Sequence, residues 1–143
     1  MVRDEGDKAQ KFAVPEDRLY TGTHEWLKNG ICFVGITDFF THKILPVKVL
    51  ILPEHYSEVK KGEAIAVIES SKTIQEVCAP ISGKVLAVNE KVKNKPNLVI
   101  ADPYGEGWII ALQIKDVSEL KDLLTPEKYI NLIFNSNKLL PRV

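Results

Sequence analysis

A single lysine lies in a short polar break between two apolar runs, and no other pattern constrains the fold of this chain more. The runs fall within residues 66–69 and 74–80, and they predict a strand, a tight turn and a returning strand. Lys72 occupies the break, three residues after Glu69 and four residues before Glu76. At a hairpin tip this lysine would be solvated and reachable by another protein, which suits a lysine that is to be modified. Taken alone, however, a turn lysine is more often just a solvated charge.

The sequence on either side of Lys72 forms two similar halves. Gly62 lies ten residues before the lysine and Gly83 eleven residues after it, and each glycine precedes an apolar run. Glycine at such a place permits a positive φ or the close approach of another strand. The lysine therefore marks the centre of two related units.

Short apolar and aromatic runs bounded by turn residues predict a mainly β chain with peripheral helices. Residues 1–18 are polar and charged, which predicts a flexible or loosely docked arm, and the chain is expected to fray after Asn135. The remaining predictions are strands at 19–27, 31–36, 47–52 and 109–114, an Asn-Gly turn at 28–30, helices at 39–44, 118–124 and 125–134, and a basic surface loop at 91–96.

The composition excludes several classes of function. Nineteen acidic and nineteen basic residues leave no net charge, which does not indicate nucleic-acid binding. The sequence contains no run of 18 apolar residues, so it predicts no membrane span. Its acidic N-terminus resembles neither a secretion signal nor a mitochondrial presequence. We therefore expect a cytoplasmic protein, or the mature part of one.

Cys32 and Cys78 are predicted to be reduced core thiols, with a disulfide as the alternative. The three histidines are scattered along the chain, and together with only two cysteines they predict no metal site.

The motif Glu69-Ser70-Ser71-Lys72, followed by Ala79-Pro80-Ile81-Ser82-Gly83, resembles the lipoyl and biotinyl carrier domains. In those domains a lysine on an exposed hairpin links two quasi-symmetric halves of a flattened β-barrel. Biotin carriers typically have Met on both sides of the lysine, whereas Ser71 and Thr73 are the neighbours here. The motif is most similar to the H proteins of the glycine cleavage system.

Further segments extend this resemblance over residues 19–134. In chain order they are His24–Trp26, Gly35–Asp38, Leu52–Glu54, Asp102–Trp108, and Leu120 with Leu123 and Leu124. The resemblance implies a mainly β, flattened β-barrel/sandwich hybrid with short peripheral and C-terminal helices. It divides the chain into a flexible arm (1–18), a lipoyl-carrier domain (19–134) and a C-terminal tail (135–143).

The resemblance also implies a function without a catalytic residue. A lipoic acid group would be attached to Lys72 as an amide, and the dithiolane at its end would perform the chemistry. In the family, glycine decarboxylase loads an aminomethyl group onto this arm, aminomethyltransferase removes it, and lipoamide dehydrogenase reoxidises the arm. Glu69 is the acid that a lipoylating enzyme would read, or else a solvated turn acid, while Gly83 mainly serves the fold and contributes to recognition secondarily. The sequence has no Gly-x-Ser-x-Gly, phosphate loop or Cys/His spacing, which agrees with a carrier.

A sheltering cleft for the loaded arm is a further implication. Thr23, Glu25 and Glu76 match the positions at which the family's cleft holds the ammonium of the aminomethyl group, and their oxygens are suitable acceptors. The alternative for each is an ordinary strand-surface residue. His24 is expected to be structural, and Trp26 and Trp108 are expected to pack in the core or at its rim.

One region departs from the family pattern. Phe39 and Phe40 open the predicted helix, Leu45 and Pro46 replace the usual Gly and acid, Lys48 and Ile51 replace an apolar residue and an acid, and His55 and Tyr56 replace a Pro/Val-Gly turn. An exposed Phe pair would be a docking patch, whereas a buried pair would be repacked core.

Three other functions therefore remain open. The chain could be an H-like lipoate-binding carrier in another pathway, such as sulfur oxidation or lipoyl relay. It could be an unmodified β-domain that acts only as a binding module. An enzyme acting through Cys78 would need an exposed thiol of depressed pKa, which its β-run does not suggest.

Overall fold

Two antiparallel sheets form the body of the protein in a computed structural model that describes residues 12–28 and 32–139. The strands are β1 (Leu19–Tyr20), β2 (Glu25–Lys28), β3 (Cys32–Ile36), β4 (Val47–Ile51), β5 (Glu58–Val59), β6 (Ala64–Ser70), β7 (Ile74–Cys78), β8 (Gly83–Val88) and β9 (Ile110–Ile114). One sheet has six strands in the order β1-β2-β3-β9-β8-β5, and the other has three in the order β4-β6-β7. The helices are α1 (Asp38–Thr41), α2 (Glu90–Asn94), α3 (Leu98–Ala101), a 3-10 helix (Val117–Asp122) and α4 (Pro126–Leu139).

The main core lies between the two sheets. Val34 and Leu112 of the large sheet and Ile68 of the small sheet are buried in one apolar cluster. The predicted mainly β, layered fold with peripheral helices is confirmed, and its two sheets pack as a sandwich that does not close into a barrel. In the described part of the chain, no helix is both long enough and apolar enough to cross a membrane.

The first predicted strand, 19–27, is in fact two strands. The amide of Thr21 donates to the carbonyl of Glu25 at 3.0 Å, and the amide of His24 donates to the carbonyl of Thr21 at 3.2 Å. This turn reverses the chain, so Leu19 pairs with Leu27 in antiparallel register. The aromatic and β-branched content of the segment did not reveal the reversal. Strand β2 then pairs antiparallel with β3, and the predicted Asn-Gly turn between them lies outside the described residues.

Residues 12–18 pack against the body, so this part of the predicted arm is docked, which was one of the two alternatives. The Ala13 amide donates to Asp38 Oδ2 at 3.0 Å, and Tyr104 Oη donates to the Ala13 carbonyl at 2.6 Å. Arg18 is buried, with its guanidinium 4.5 Å from the centre of the Trp26 ring. Residues 1–11 lie outside the described part of the chain.

Helix α1 is shorter than predicted, and it buries the unusual phenylalanine pair. Thr37 caps the helix by accepting a hydrogen bond from the Phe40 amide at 3.2 Å. Phe39 and Phe40 are 8% and 4% exposed, so they belong to the core and do not form a docking patch. Phe40 joins the main core, whereas Phe39 packs in a second cluster with Tyr129 of α4.

The predicted basic loop at 91–96 is wrong, because most of it forms helix α2. Asn89 caps this helix by accepting from the Lys91 amide at 3.0 Å, and Val92 is fully buried. The lysines point outward from a helix whose single buried apolar residue gave too weak a periodicity to detect. The short helix α3 that follows was also not predicted.

The C-terminal helices are confirmed in position. Thr125 accepts from the Lys128 amide at 3.2 Å and begins α4, which buries Tyr129 and Ile133. The helix continues to Leu139, past the predicted domain end at residue 134. Cys32 is buried and Cys78 half-buried, and no disulfide joins them, as predicted.

Candidate functional site

The hairpin around Lys72 is the one that the sequence predicts. Strands β6 and β7 pair in antiparallel register from Glu69 with Ile74 onward. Ser70 orders the turn, because its hydroxyl accepts hydrogen bonds from the amides of Lys72 at 3.2 Å and Thr73 at 3.1 Å. Sequence reasoning missed this role, although a serine just before a turn is a known signal for such bonding.

Lys72 lies at the tip of this turn with an exposed side chain. Among the described residues, no carboxylate forms a salt bridge with its ammonium. Glu69 is exposed as well, and it directly precedes Ser70, the last residue of β6. The backbone of the turn is therefore ordered while the lysine side chain is left accessible.

Gly83 has a structural reason to be glycine. It begins β8, pairs with Val59 and Ile114, and is buried. A Cβ at this position would collide with the carbonyl oxygen of Gln113 in β9, which is backbone and has no room to move aside. This close approach accounts for the glycine by itself.

An open cleft of about 660 Å³ lies beside the hairpin, between β7 and the turn that joins β1 to β2. Strand β7 begins two residues after Lys72 and forms one wall. The residues that line the cleft are Gly22, Thr23, His24, Phe40, Lys43, Ile74, Gln75, Glu76 and Cys78. The structure therefore brings Thr23 and Glu76 together, as the sequence analysis expected, and adds Lys43, which it did not single out.

Glu25 lies behind this wall and does not line the cleft. Its Oε1 accepts from the hydroxyls of Thr21 and Thr23, both at 2.6 Å, and its Oε2 accepts from the amide of Cys78 at 2.8 Å. The side chain is fully buried. Burial raises the pKa of the Glu25 carboxyl, and the hydrogen bonds from Thr21 and Thr23 oppose that rise. Because Thr23 donates its only hydroxyl proton to Glu25, its lone pairs remain available to the cleft.

His24 is structural, as predicted, but it also lines the cleft. It has a positive φ of 76° in the turn, and its Nδ1 lies 2.9 Å from Tyr129 Oη of α4. Tyr129 Oη lies in turn 2.6 Å from Thr37 Oγ1. Burial, and secondarily the charge of Lys43, lower the pKa of His24 to about 4, so the imidazole is neutral at pH 7.

The two tryptophans pack as expected. Trp26 is buried and donates from Nε1 to the carbonyl of Pro103 at 3.0 Å. Trp108 is half-buried and meets Phe33 edge to face, with ring centres 5.0 Å apart. No group of residues suited to holding a metal ion occurs in the described part of the chain.

The two-sheet sandwich and its exposed hairpin lysine place the chain among the lipoyl-domain-like folds. The family model described as glycine cleavage H-protein matches residues 18–136. The chain therefore belongs to the glycine cleavage H-protein family, and the resemblance predicted from the motif around Lys72 is confirmed.

Individual relatives agree with the family model. A probable glycine cleavage system H protein of Aeropyrum pernix is 42% identical over 125 residues, which cover 86% of this chain and 87% of the relative. A glycine cleavage system H protein of Thermotoga maritima is 46% identical over 114 residues, 78% of this chain and 92% of the relative. The crystal structure of a glycine cleavage system H protein from Mycobacterium marinum matches with a TM-score of 0.74 and 31% identity, covering 88% of this chain and 100% of that chain.

Proposed function

We propose that the protein carries a lipoyl group on Lys72 and shuttles the aminomethyl group of glycine between two enzymes. The observation that supports this most directly is an exposed lysine that forms no salt bridge with any described residue, on a turn whose backbone Ser70 holds in place. Acylation would remove the charge of this lysine without breaking any salt bridge to the described residues. The rest of the hairpin would therefore keep its structure after modification.

The cleft suits the far end of such an arm. When bound, the lipoyl group supplies the sulfur that accepts the aminomethyl group. The ammonium of that load needs acceptors, and Thr23 and Glu76 present oxygens at the cleft wall. Glu25 contributes through Thr23, because it fixes the direction of that hydroxyl. Its proposed role is therefore to position an acceptor, not to accept the ammonium itself.

The partners follow from membership of this system. Glycine decarboxylase would load the arm, aminomethyltransferase would unload it and lipoamide dehydrogenase would reoxidise it, while a lipoylating enzyme would read Glu69 near Lys72. Gly83 has a sufficient structural role, and any role in recognition would add to it. The protein itself would act as a non-catalytic carrier, which raises the effective concentration of the arm at each active site.

Release of CO2 from glycine by glycine decarboxylase tests this proposal. We expect the release to depend on the lipoylated protein and to be absent with Lys72→Arg, which retains the fold because the side chain is exposed. Lys84→Arg is the matched control, since Lys84 is an exposed lysine on β8 outside the hairpin. CO2 release supported by lipoate on another lysine would contradict the assignment of Lys72.

A carrier for a different lipoyl-dependent pathway is the second candidate. It is favoured by the region from Leu45 to Ile51, where Pro46 and Ile51 are exposed at positions that the family usually fills with acids. Lipoylation at Lys72 without loading by glycine decarboxylase would select this candidate. Absence of lipoylation would favour an unmodified binding module.

A further inference from the structure

The outer face of the three-stranded sheet presents apolar and acidic side chains in regular register next to Lys72. Across the strands, Val49 of β4 pairs with Glu69 of β6, which pairs with Ile74 of β7. Antiparallel partners point to the same side of a sheet, so these three side chains form one row. This row is the one nearest to the turn that contains Lys72.

A second row lies one step further from the turn. Ile51 pairs with Val67, which pairs with Glu76. We call the six residues of the two rows the outer face. Four of the six residues are apolar, and three of these are strongly exposed: Val49 by 43%, Ile51 by 57% and Ile74 by 65%. Exposed aliphatic side chains that are adjacent in register are typical of an interaction surface and not of scattered surface residues.

The charges on the outer face identify the kind of partner. Glu69 and Glu76 are its charged residues, and both are exposed. A second copy of the chain docked through the same face would bring these carboxylates near each other, which disfavours a symmetric dimer. A protein surface with an apolar side chain flanked by lysine or arginine would complement both features.

We propose that the outer face is the docking surface for the enzyme that loads the arm, through an apolar ridge flanked by basic side chains on that enzyme. The inference rests on the proposed function, because Lys72 is the point that the enzyme must reach. Docking beside the turn holds the attachment point close to the active site, while the arm itself remains free to enter it. The apolar centre would supply most of the affinity, and the two acids would steer the encounter.

Binding of the unlipoylated protein to glycine decarboxylase, measured by calorimetry, tests the inference apart from any activity of the arm. We expect the double variant Val49→Ser/Ile51→Ser to raise the Kd about tenfold or more, as loss of central apolar contacts typically does. The Kd of the wild type should also rise with ionic strength. Leu86→Ser is the matched control, because Leu86 is 41% exposed on β8 of the other sheet and should leave the Kd unchanged.

The outcomes separate the inference from the proposed function. If the lipoylated wild type is loaded but the double variant binds like the wild type, the docking surface is elsewhere and only the inference fails. Loading of the wild type without measurable binding of the unlipoylated form would also overturn it, as would self-association through the face in sedimentation equilibrium. A wild type that is neither bound nor loaded would overturn both.

Discussion

The carboxylate of Glu25 accepts a hydrogen bond from the backbone amide of Cys78 at 2.8 Å, which ties the turn after β1 to the edge strand that leads away from Lys72. Without this bond, the amide of Cys78 would lie at the edge of the small sheet with no partner from a neighbouring strand, since β7 ends the sheet. The two walls of the cleft are therefore joined by one buried side chain. This arrangement makes Glu25 both a structural residue and a positioning residue for Thr23.

Replacement of Glu25 by Ala should destabilise the fold and weaken the cleft. It leaves the Cys78 amide and the hydroxyls of Thr21 and Thr23 without their acceptor, so the free energy of unfolding should fall by about 2–4 kcal/mol. Urea denaturation measures this loss, with Glu58→Ala, an exposed acid, as the control that should change little. Lipoylation of the folded protein should continue, while the loaded aminomethyl group should be lost faster. An unchanged half-life of the loaded form would contradict the proposed role of Glu25 in positioning Thr23.

The stability of the protein should depend on the titration of His24. Its pKa is about 4 when folded against 6.5 ordinarily, so the unfolded chain takes up the proton first as the pH falls. The contribution of the neutral imidazole is thus complete above pH 6.5 and is lost as the pH falls toward 4, by up to about 3 kcal/mol. His24→Asn tolerates the positive φ and does not titrate, so it should lack this loss.

Denaturation of both proteins between pH 7 and pH 4 provides the comparison. Subtracting one stability curve from the other removes the contribution of Glu25, which is common to both proteins. The raised pKa of Glu25 has the opposite effect on stability to that of His24, because its carboxyl favours the folded state more as the pH falls. Parallel stability curves for the wild type and the variant would contradict the assignment to His24.

Lys43 should oppose the binding of a cationic load in the cleft. Its ammonium lies 5.0 Å from the centre of the Phe39 ring and lowers the pKa of His24, which places its positive charge close to the cleft wall. Lys43→Gln should therefore lengthen the half-life of the aminomethylated arm, because one repulsive charge is removed. Lys48→Gln, on the exposed part of β4, is the control. A shorter half-life for the Lys43 variant would mean that this lysine holds the arm instead of opposing its load.

Gly83→Ala should separate a structural role of this glycine from a role in recognition by the lipoylating enzyme. The added Cβ meets the Gln113 carbonyl, so we expect a loss of about 1–3 kcal/mol in the free energy of unfolding. In Gly22→Ala the new Cβ would lie 3.9 Å from Leu132 Cδ1, an ordinary contact, and stability should be nearly unchanged. Normal lipoylation of the folded Gly83 variant would restrict the role of this glycine to the fold, whereas a slower rate would add a role in recognition.

The hairpin and its lysine could be predicted because their signals are local. Two β-runs, a polar break and flanking glycines lie within residues 62–83, and each strand needs only its neighbour in sequence to form. The cleft could be predicted only by resemblance, because Thr23 belongs to a turn of the large sheet and Glu76 to the small sheet, and only the packing of the two sheets brings them together. No local pattern marks such a contact.

The features that the sequence missed or left open depend on distant partners. Phe39 and Phe40 have a place in the core because α4 contributes Tyr129 to the cluster that buries the first, while the sheets enclose the second. Residues 12–18 look like a polar arm until Asp38 and Tyr104 supply their hydrogen bonds. Burial of Glu25 likewise required both Thr21 and the amide of Cys78, which lies 53 residues away.

The intact mass of the lipoylated protein, before and after incubation with glycine and glycine decarboxylase, tests the central claim most directly. We predict an added aminomethyl group that peptide mapping places on the Lys72 arm, and no addition in Lys72→Arg. A lipoylated protein that stays unloaded with an active enzyme would contradict the role in glycine cleavage. The altered surface from Leu45 to Ile51 would then be the first place to seek the partner of a different pathway.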